Sequence, residues 1–286
     1  MAMSNNNNNK ASGSDNLGLL YTRRYYDTLT ENVLTNKKSQ AEFYEKKNSR
    51  IVEKSKSFDS QEAIPKAQTF CLQTQYPGLI TGIGIQHATG HEGEAKLGLA
   101  FDHTTGLPYL PGSSVKGVLR SVFPVRGSSA NGERRQYVLD LVTKSGMLAL
   151  ELDEVDTLEL LIFGSNNKDA DNHDRGDVVF FDALPVKASN KLLGLDYITP
   201  HTSGQFSDPV PIQFMRIQPG VTYRFSFMVR GSKLKDFVGN HLPKQPSDGN
   251  VDLQVNALLK KLFVDILTTV GIGAKTNVGY GQLKEA

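Results

Sequence analysis

The sequence predicts an α+β fold, an antiparallel sheet with two amphipathic helices packed on one face. Three observations predict it. Segments of strand character at 67–85, 177–186, 221–231 and 278–286 alternate in a definite order with segments of helical period at 112–123 and 253–270. The 286 residues, 38% apolar and 22% charged, suffice for a sizeable core. Twelve prolines and 26 glycines suit the loops of a mixed fold.

Residues 1–16 are polar and asparagine-rich, the composition of a disordered tail. Residues 17–66 read as an N-terminal helical extension. LGLLYTRRYYD (17–27) sets three tyrosines around Arg23 and Arg24. NKKSQAEFYEKKNSRIVEK (36–54) mixes charges with few large apolar side chains, which predicts an exposed helix.

Residues 67–286 read as a single domain. AQTFCLQTQYPGLITGIGI (67–85) is strand-like with a Pro-Gly break at 77–78, and the glycine-rich loop HATGHEGEAKLG follows. LPYLPGSSVKGVLRSVF (107–123) opens the first core helix, and 127–161 is helical again, in RRQYVLDLVTK and VDTLELLIFG. DVVFFDALPV (177–186) is a short apolar strand. In VTYRFSFMVRG, Tyr223, Phe225, Phe227 and Val229 share one face. They read as core, because the signature of a base-stacking strand is missing. The helix at 253–270 carries Leu258, Leu259, Leu262, Phe263, Ile266 and Val270 on its apolar stripe, and VGYGQLKEA ends the domain as a strand. The order β-α-β-β-α-β, with insertions after the first helix and between the middle strands, is the ferredoxin-like motif.

Net charge is +2, but it is unevenly spread. Residues 151–182 hold ten acids against Lys168 and Arg175, so that segment carries −8 and the remainder +10. Either a solvated acidic loop or a division between a polyanion-binding face and a protein-contact face accounts for this. Cys71 is the only cysteine, so no intrachain disulfide or cysteine-based zinc site is expected. With no span of ~18 apolar residues and no signal-peptide core, the expectation is a cytoplasmic protein without membrane contact.

In 107–123, helical spacing puts Val115, Val118, Leu119, Val122 and Phe123 on one buried stripe. Lys116 and Arg120 sit beside each other on its rim, and Ser113 or Ser114 is the expected N-cap. A lysine in the first turn opposes the helix dipole by ~0.3–1 kcal/mol. A like-charge pair at this spacing costs roughly 0.2–0.5 kcal/mol more. A bound phosphate reverses both signs. Two solvated cations on a capped helix remain the alternative, since these costs are small.

A second candidate is GIGAKTNVGYG (271–281), where Gly271, Gly273, Gly279 and Gly281 bracket Lys275, Thr276 and Asn277. Glycines let backbone N–H groups approach a phosphate. The loop is neither a P-loop, since Ala274 stands where glycine is required, nor a dinucleotide fingerprint, since it follows a helix. Read alone, the loop is better explained as a helix C-cap followed by a bulge. His87 and His91 have H-x₃-H spacing without the helix of a zinc site, and no metal or other cofactor is expected. His87 or His201 is a candidate general base for cleaving RNA through its 2′-hydroxyl. SNNKDADNHDRGD lacks the glycine and glutamate of a calcium loop.

Together these elements resemble the RAMP superfamily of CRISPR effector complexes. LPYLPGSSVKGVLRSVF is similar to the family's L-P-G-S-S-x-K-G-x-L-R segment, LIFG followed by GDVVFFDALP to its next motif, and GIGAKTNVGYG to its C-terminal glycine-rich loop. The likeness runs from about 68 to 284. NLGLLYTRRYYD, ITPH and DPVPIQFMRI point to one branch, the RAMP subunits of type III-B (Cmr) complexes. The resemblance implies an RRM-like, ferredoxin-like RAMP fold. It implies CRISPR RNA, target RNA and neighbouring RAMP subunits as partners, near the 3′ end of the guide. It implies RNA contacts by Ser113, Ser114, Lys116 and Arg120, by Gly271, Gly273, Lys275, Thr276, Asn277, Gly279 and Tyr280 beside them, and by Arg23, Arg24 and His201. Part of 187–212 is expected to form a finger across the guide–target duplex. Target cleavage belongs to the family's repeated backbone subunit, and nothing marks Asp102 of this chain as catalytic. A non-catalytic role is therefore expected, with metal-independent processing of CRISPR repeat RNA as the alternative.

Overall fold

The computed structural model describes residues 16–60, 64–84, 87, 89–125, 131–144, 148–165, 175–199, 211–242 and 250–286. In chain order the elements are α1 (Leu17–Thr22), α2 (Glu31–Thr35), α3 (Lys37–Lys54), β1 (Phe58–Asp59), β2 (Gln68–Thr74), α4 (Gly112–Ser121), α5 (Asn131–Lys144), α6 (Glu154–Phe163), β3 (Val178–Phe180), β4 (Leu184–Ala188), β5 (Leu193–Ile198), β6 (Ile212–Ile217), β7 (Thr222–Val229), α7 (Lys233–Asn240), α8 (Val251–Val270) and β8 (Leu283–Glu285).

The main sheet runs β1-β4-β7-β2-β8, with antiparallel pairing throughout. β3 also pairs antiparallel with β7, Val178 opposite Val229 and Phe180 opposite Phe227, and β4 takes up the same line at Leu184 opposite Arg224. The single strand expected at 177–186 is therefore broken. At the break Ala183 bridges to Leu110, and the Asp182 carboxylate accepts a hydrogen bond from Gly112 N.

α4 and α8 cover one face of this sheet. Phe70 and Leu72 of β2 meet Tyr223, Phe225 and Phe227 of β7 beneath α8, with the Phe70 and Phe225 rings stacked at 5.3 Å and Phe227 edge-on to Phe263. Each aromatic ring so buried contributes about 1.5–3 kcal/mol. α8 carries the expected stripe, is capped by the Asn250 side chain on Asp252 N, and ends at Gly271 with φ +71°.

The two helical segments read within 127–161 are α5 and α6, separated at 148–153. Three expectations are corrected. The extension also contributes β1, at the sheet edge beside β4. α7 was not foreseen. α3 is not simply exposed: Gln40, Tyr44, Asn48 and Ile51 bury one face. That face is polar, so hydropathy does not reveal it. Its hydrogen bonds do: Tyr25 donates to Asn48 Oδ1 at 2.7 Å, and Asn48 Nδ2 donates to Gly93 O and Gln213 Oε1 at 3.0 Å each. β5 and β6 form a separate two-stranded antiparallel sheet; of 187–212, part of which was expected to form the finger, residues 200–210 lie outside the described residues, as do 1–15 of the tail.

Candidate nucleic-acid interface

α4 begins at Gly112, one residue before the expected serine caps. Pro111 is the N-cap, and its carbonyl accepts from Ser114 N and Val115 N. Ser113 and Ser114 therefore lie in the first turn. The helix starts hard against the sheet, where a Cβ at position 112 would stand 2.5 Å from Phe180 O, so only glycine fits. Lys116 falls in the second turn. Arg120 falls in the last turn, where the dipole favours a cation. The first-turn dipole cost expected for Lys116 is thus eased, while the like charges of Lys116 and Arg120 still oppose each other.

Arg120 has internal partners. Its Nε donates to Glu159 Oε1 at 2.6 Å and its Nη2 to Gly164 O at 2.8 Å, with Glu159 buried in α6. Lys116 is half-buried beside it, in a shallow cleft of about 210 Å³ that it shares with Ser113, Arg175, Gly176 and Phe180. Burial lowers the Lys116 pKa. The charges of Arg120 and Arg175 lower it further, and Glu159 acts the other way. Lys116 is a cation kept among cations, in a cleft open to solvent. Arg175 was missed from sequence because it stands in the acidic stretch, far along the chain from Lys116. The one available signal was its position just ahead of the second motif, where it bridges to Gly164.

The glycine-rich loop uses its glycines chiefly for close approach to its own chain. A Cβ at Gly273, where φ is +98°, would collide with Ile80 O, and one at Gly281 with Ile272 O. Ala274 N donates to Ile80 O and Gly281 N to Gly78 O, both at 2.8 Å. Gly271 caps α8, and Gly279 closes the 3₁₀ turn Thr276–Val278. Lys275 is left-handed at φ +59° and half-buried, while Asn277 is exposed. Tyr280 is buried, and its hydroxyl donates to Asp196 Oδ2 at 2.8 Å. Burial and that carboxylate push its pKa up to about 12. Its ring is thus part of the fold, between the loop and the β5–β6 hairpin.

The two candidate patches do not lie side by side, contrary to expectation. Gly112 abuts Phe180, which pairs through Phe227 with Gln68 at the start of β2. The glycine-rich loop joins the other end, where Leu283 pairs with Thr74. β2 has seven residues, so the two levels are roughly 20 Å apart at strand rise. α4 then runs away from the loop, since Arg120 reaches Gly164 ahead of β3.

Arg23 and Arg24 are exposed, and Arg23 lines a cleft of about 360 Å³ with Asn16, Thr22, Asp102 and His103. Asp102 Oδ1 accepts from Thr104 N, Thr105 N and the Thr105 hydroxyl, which closes its own turn. His201 lies outside the described residues. His87 is excluded as a general base for RNA. It is 3% exposed, its nitrogens lie 3.0 Å from Ala95 O and 2.9 Å from Tyr21 O, and its ring is stacked 3.8 Å from Tyr25. His91 bonds to the Tyr44 hydroxyl through Nδ1. Among the described residues no group of three His, Cys, Asp or Glu is placed to hold a metal ion, and no helix is long and apolar enough to cross a membrane.

A strand-paired α+β core, the motif helix seated on β3 and a glycine-rich loop closing on β2 are the arrangement into which the three ordered motifs fold. The sequence model of the RAMP superfamily matches residues 71–284, and the chain belongs to that superfamily. Within it, the chain is similar to the CRISPR system Cmr subunit Cmr6 of Pyrococcus furiosus, 24% identical over 226 residues covering 63% of this chain and 58% of that one. It is also similar to the Cmr6 subunit of Saccharolobus solfataricus, 27% identical over 187 residues covering 64% and 46% respectively. The chain thus spans about half the length of these curated relatives. Among solved structures, the crystal structure of Cmr6 from Pyrococcus furiosus matches at 22% identity and TM-score 0.45, covering 77% of this chain and 98% of that one. A chain of the cryo-EM structure of the Type III-B Cmr-beta bound to cognate target RNA matches at 20% identity and TM-score 0.46, covering 88% and 66%.

Proposed function

We propose that this chain is a non-catalytic, RNA-binding subunit of a type III-B CRISPR ribonucleoprotein effector, the counterpart of the sixth Cmr subunit. In this reading it caps the backbone of RAMP subunits near the 3′ end of the CRISPR RNA and helps hold the guide–target duplex in antiviral defence. The core is read as ferredoxin-like, its strands in the order β8-β2-β7-β4 with α4 and α8 on one face.

One observation carries the RNA-binding part. Lys116 is half-buried beside two guanidinium groups in an open cleft with the Ser113 hydroxyl, and only Arg120 of the three has a carboxylate at hydrogen-bond distance among the described residues. A phosphate is the ligand that offsets such a cluster. The contact set is revised accordingly. Lys116, Arg175 and Ser113 grip, Arg120 holds the grip in place, and Lys275, Thr276 and Asn277 form a second contact several nucleotides away. Backbone contacts position RNA without reading its sequence, as a subunit that accepts any guide requires.

Ultraviolet crosslinking of the assembled complex, read by mass spectrometry, tests this. Peptide–RNA adducts are expected in 111–122 and 271–281. An assembled complex with adducts on its other subunits and none in either segment refutes it and favours a purely structural adaptor.

A further inference from the structure

Tyr76 is the most exposed large hydrophobic side chain among the described residues, at 84%. Neither its ring nor its hydroxyl has a stacking or hydrogen-bonding partner among the described residues, so the folded chain gains little by holding it there. Yet it is held firmly. On one side Gln75 N donates to Gln282 O and Gln75 Nε2 to Leu283 O, at 2.9 and 3.0 Å. On the other, Gly78 O accepts from Gly281 N, and Leu79 exchanges both backbone hydrogen bonds with Ile217. Gly78 itself has φ +123°, and a Cβ there would strike Ile217 O. The turn that carries Tyr76 is therefore fixed to the β8 end of the chain one residue before it, and to the glycine-rich loop and β6 two and three residues after it.

Its neighbours are the glycine-rich loop. A Cβ at Gly279 would stand 3.5 Å from the Pro77 ring, and Tyr76 lies close enough to disfavour ionisation of Tyr280. Lys275, Thr276 and Asn277 belong to the same loop. An exposed aromatic ring on a fixed turn, next to a loop with a cation and short polar side chains, is the composition of a platform for single-stranded nucleic acid, since every base has a face that can stack. A backbone fixed in advance leaves only the side-chain rotamers to be ordered on binding.

We infer that Tyr76 is a base-stacking platform for single-stranded RNA whose backbone is held by the adjoining Lys275 loop. This rests on the RNA-binding reading above and names the chemistry of its second contact. A protein partner is the less favoured occupant, because the surrounding loop is polar and cationic and, among the described residues, offers only Val278 as an exposed large apolar side chain.

The test is binding of a short fluorescently labelled oligouridylate to the full chain, and to the effector complex reconstituted around it, over a range of salt. Y76A should weaken binding about five- to hundredfold with an unchanged salt slope, while Y76F binds like wild type. K275A should lower the slope by about 0.7, the single-strand value for one phosphate. If wild type binds and Y76A binds equally well, the inference is wrong while the RNA-binding reading stands. If Y76A instead loses co-purification with neighbouring subunits, Tyr76 is a protein contact. If wild type binds no RNA in either form, both readings fall. At 84% exposure the Tyr76 side chain supports little of the fold, and an unchanged circular dichroism melt verifies that Y76A folds.

Discussion

Breaking the Arg120–Glu159 pair should cost stability in a way that exposes what Arg120 does. Glu159 is 7% exposed and accepts from Arg120 Nε at 2.6 Å, and Gly164 O accepts from Nη2 at 2.8 Å. A hydrogen bond to a charged group contributes about 1.5–3 kcal/mol. Stranding one half-buried partner adds to that, up to about 3–5 kcal/mol for a fully buried pair. The Arg120 side chain is 22% exposed, so the lower part of the range applies. E159A and R120A should each cost roughly 2–3 kcal/mol, and the double variant about the same as either one alone. The coupling is then on the order of 2 kcal/mol, well above the additivity error of ~0.5 kcal/mol. Urea denaturation of the four proteins measures it. Additive losses would refute the claim that Arg120 is a structural cation committed to α6. R120A with full stability and lost RNA binding would return it to the phosphate contact first expected.

Two further outcomes follow from the hydrogen bonds of His241 and Tyr25. His241 Nε2 lies 2.7 Å from Glu154 Oε1 and Nδ1 2.7 Å from Phe237 O; burial opposes the charge, but the carbonyl and the carboxylate outweigh it and raise the His241 pKa. A raised folded-state pKa gives stability that is full below the unfolded value of about 6.5 and lost as pH rises through the folded value. Thermal melts should therefore show wild type losing an increment above neutrality that H241Q lacks, and an identical pH profile for the two would contradict the pairing. Tyr25 both donates to Asn48 and accepts from Ala95 N at 2.9 Å, so Y25F leaves two buried groups unpaired at about 1–3 kcal/mol each. Hydrogen exchange should rise first across α1 and α3, and exchange that rises only in the sheet would show that the extension does not depend on this network.

The order and period of the core elements were legible because their apolar patterns are strong: Tyr223, Phe225 and Phe227, and the stripe of α8 from Leu258 to Ile266, are buried as read, with Val270 at its end partly buried. What failed depends on contacts distant in sequence. Serines after Pro111 look like caps, but Asp182 and the Phe180 carbonyl decide where α4 starts. The same segment explains why the two patches separate. The Tyr223 hydroxyl holds Pro108 O, and Leu110 bridges Ala183, so the chain descends the sheet before the helix begins. Arg175 was hidden by its acidic neighbours, and Tyr76 by a Pro-Gly break that reads only as a turn. The tyrosines around Arg23 and Arg24 proved to be anchors: Tyr21, Tyr25 and Tyr26 bond to Leu97, Asn48 and Glu94. No hydropathy pattern carries that information, because the buried surface is polar and satisfied pairwise.

The most direct measurement of the central claim is the salt dependence of guide-RNA binding by wild type and by K116A/R175A, on two guides of unrelated sequence. Loss of two phosphate contacts should lower the slope of log affinity against log salt by about 1.4, equally for both guides, at ~0.7 per contact on a single strand. An unchanged slope, or a loss confined to one guide, would contradict a cleft that holds the backbone of any RNA.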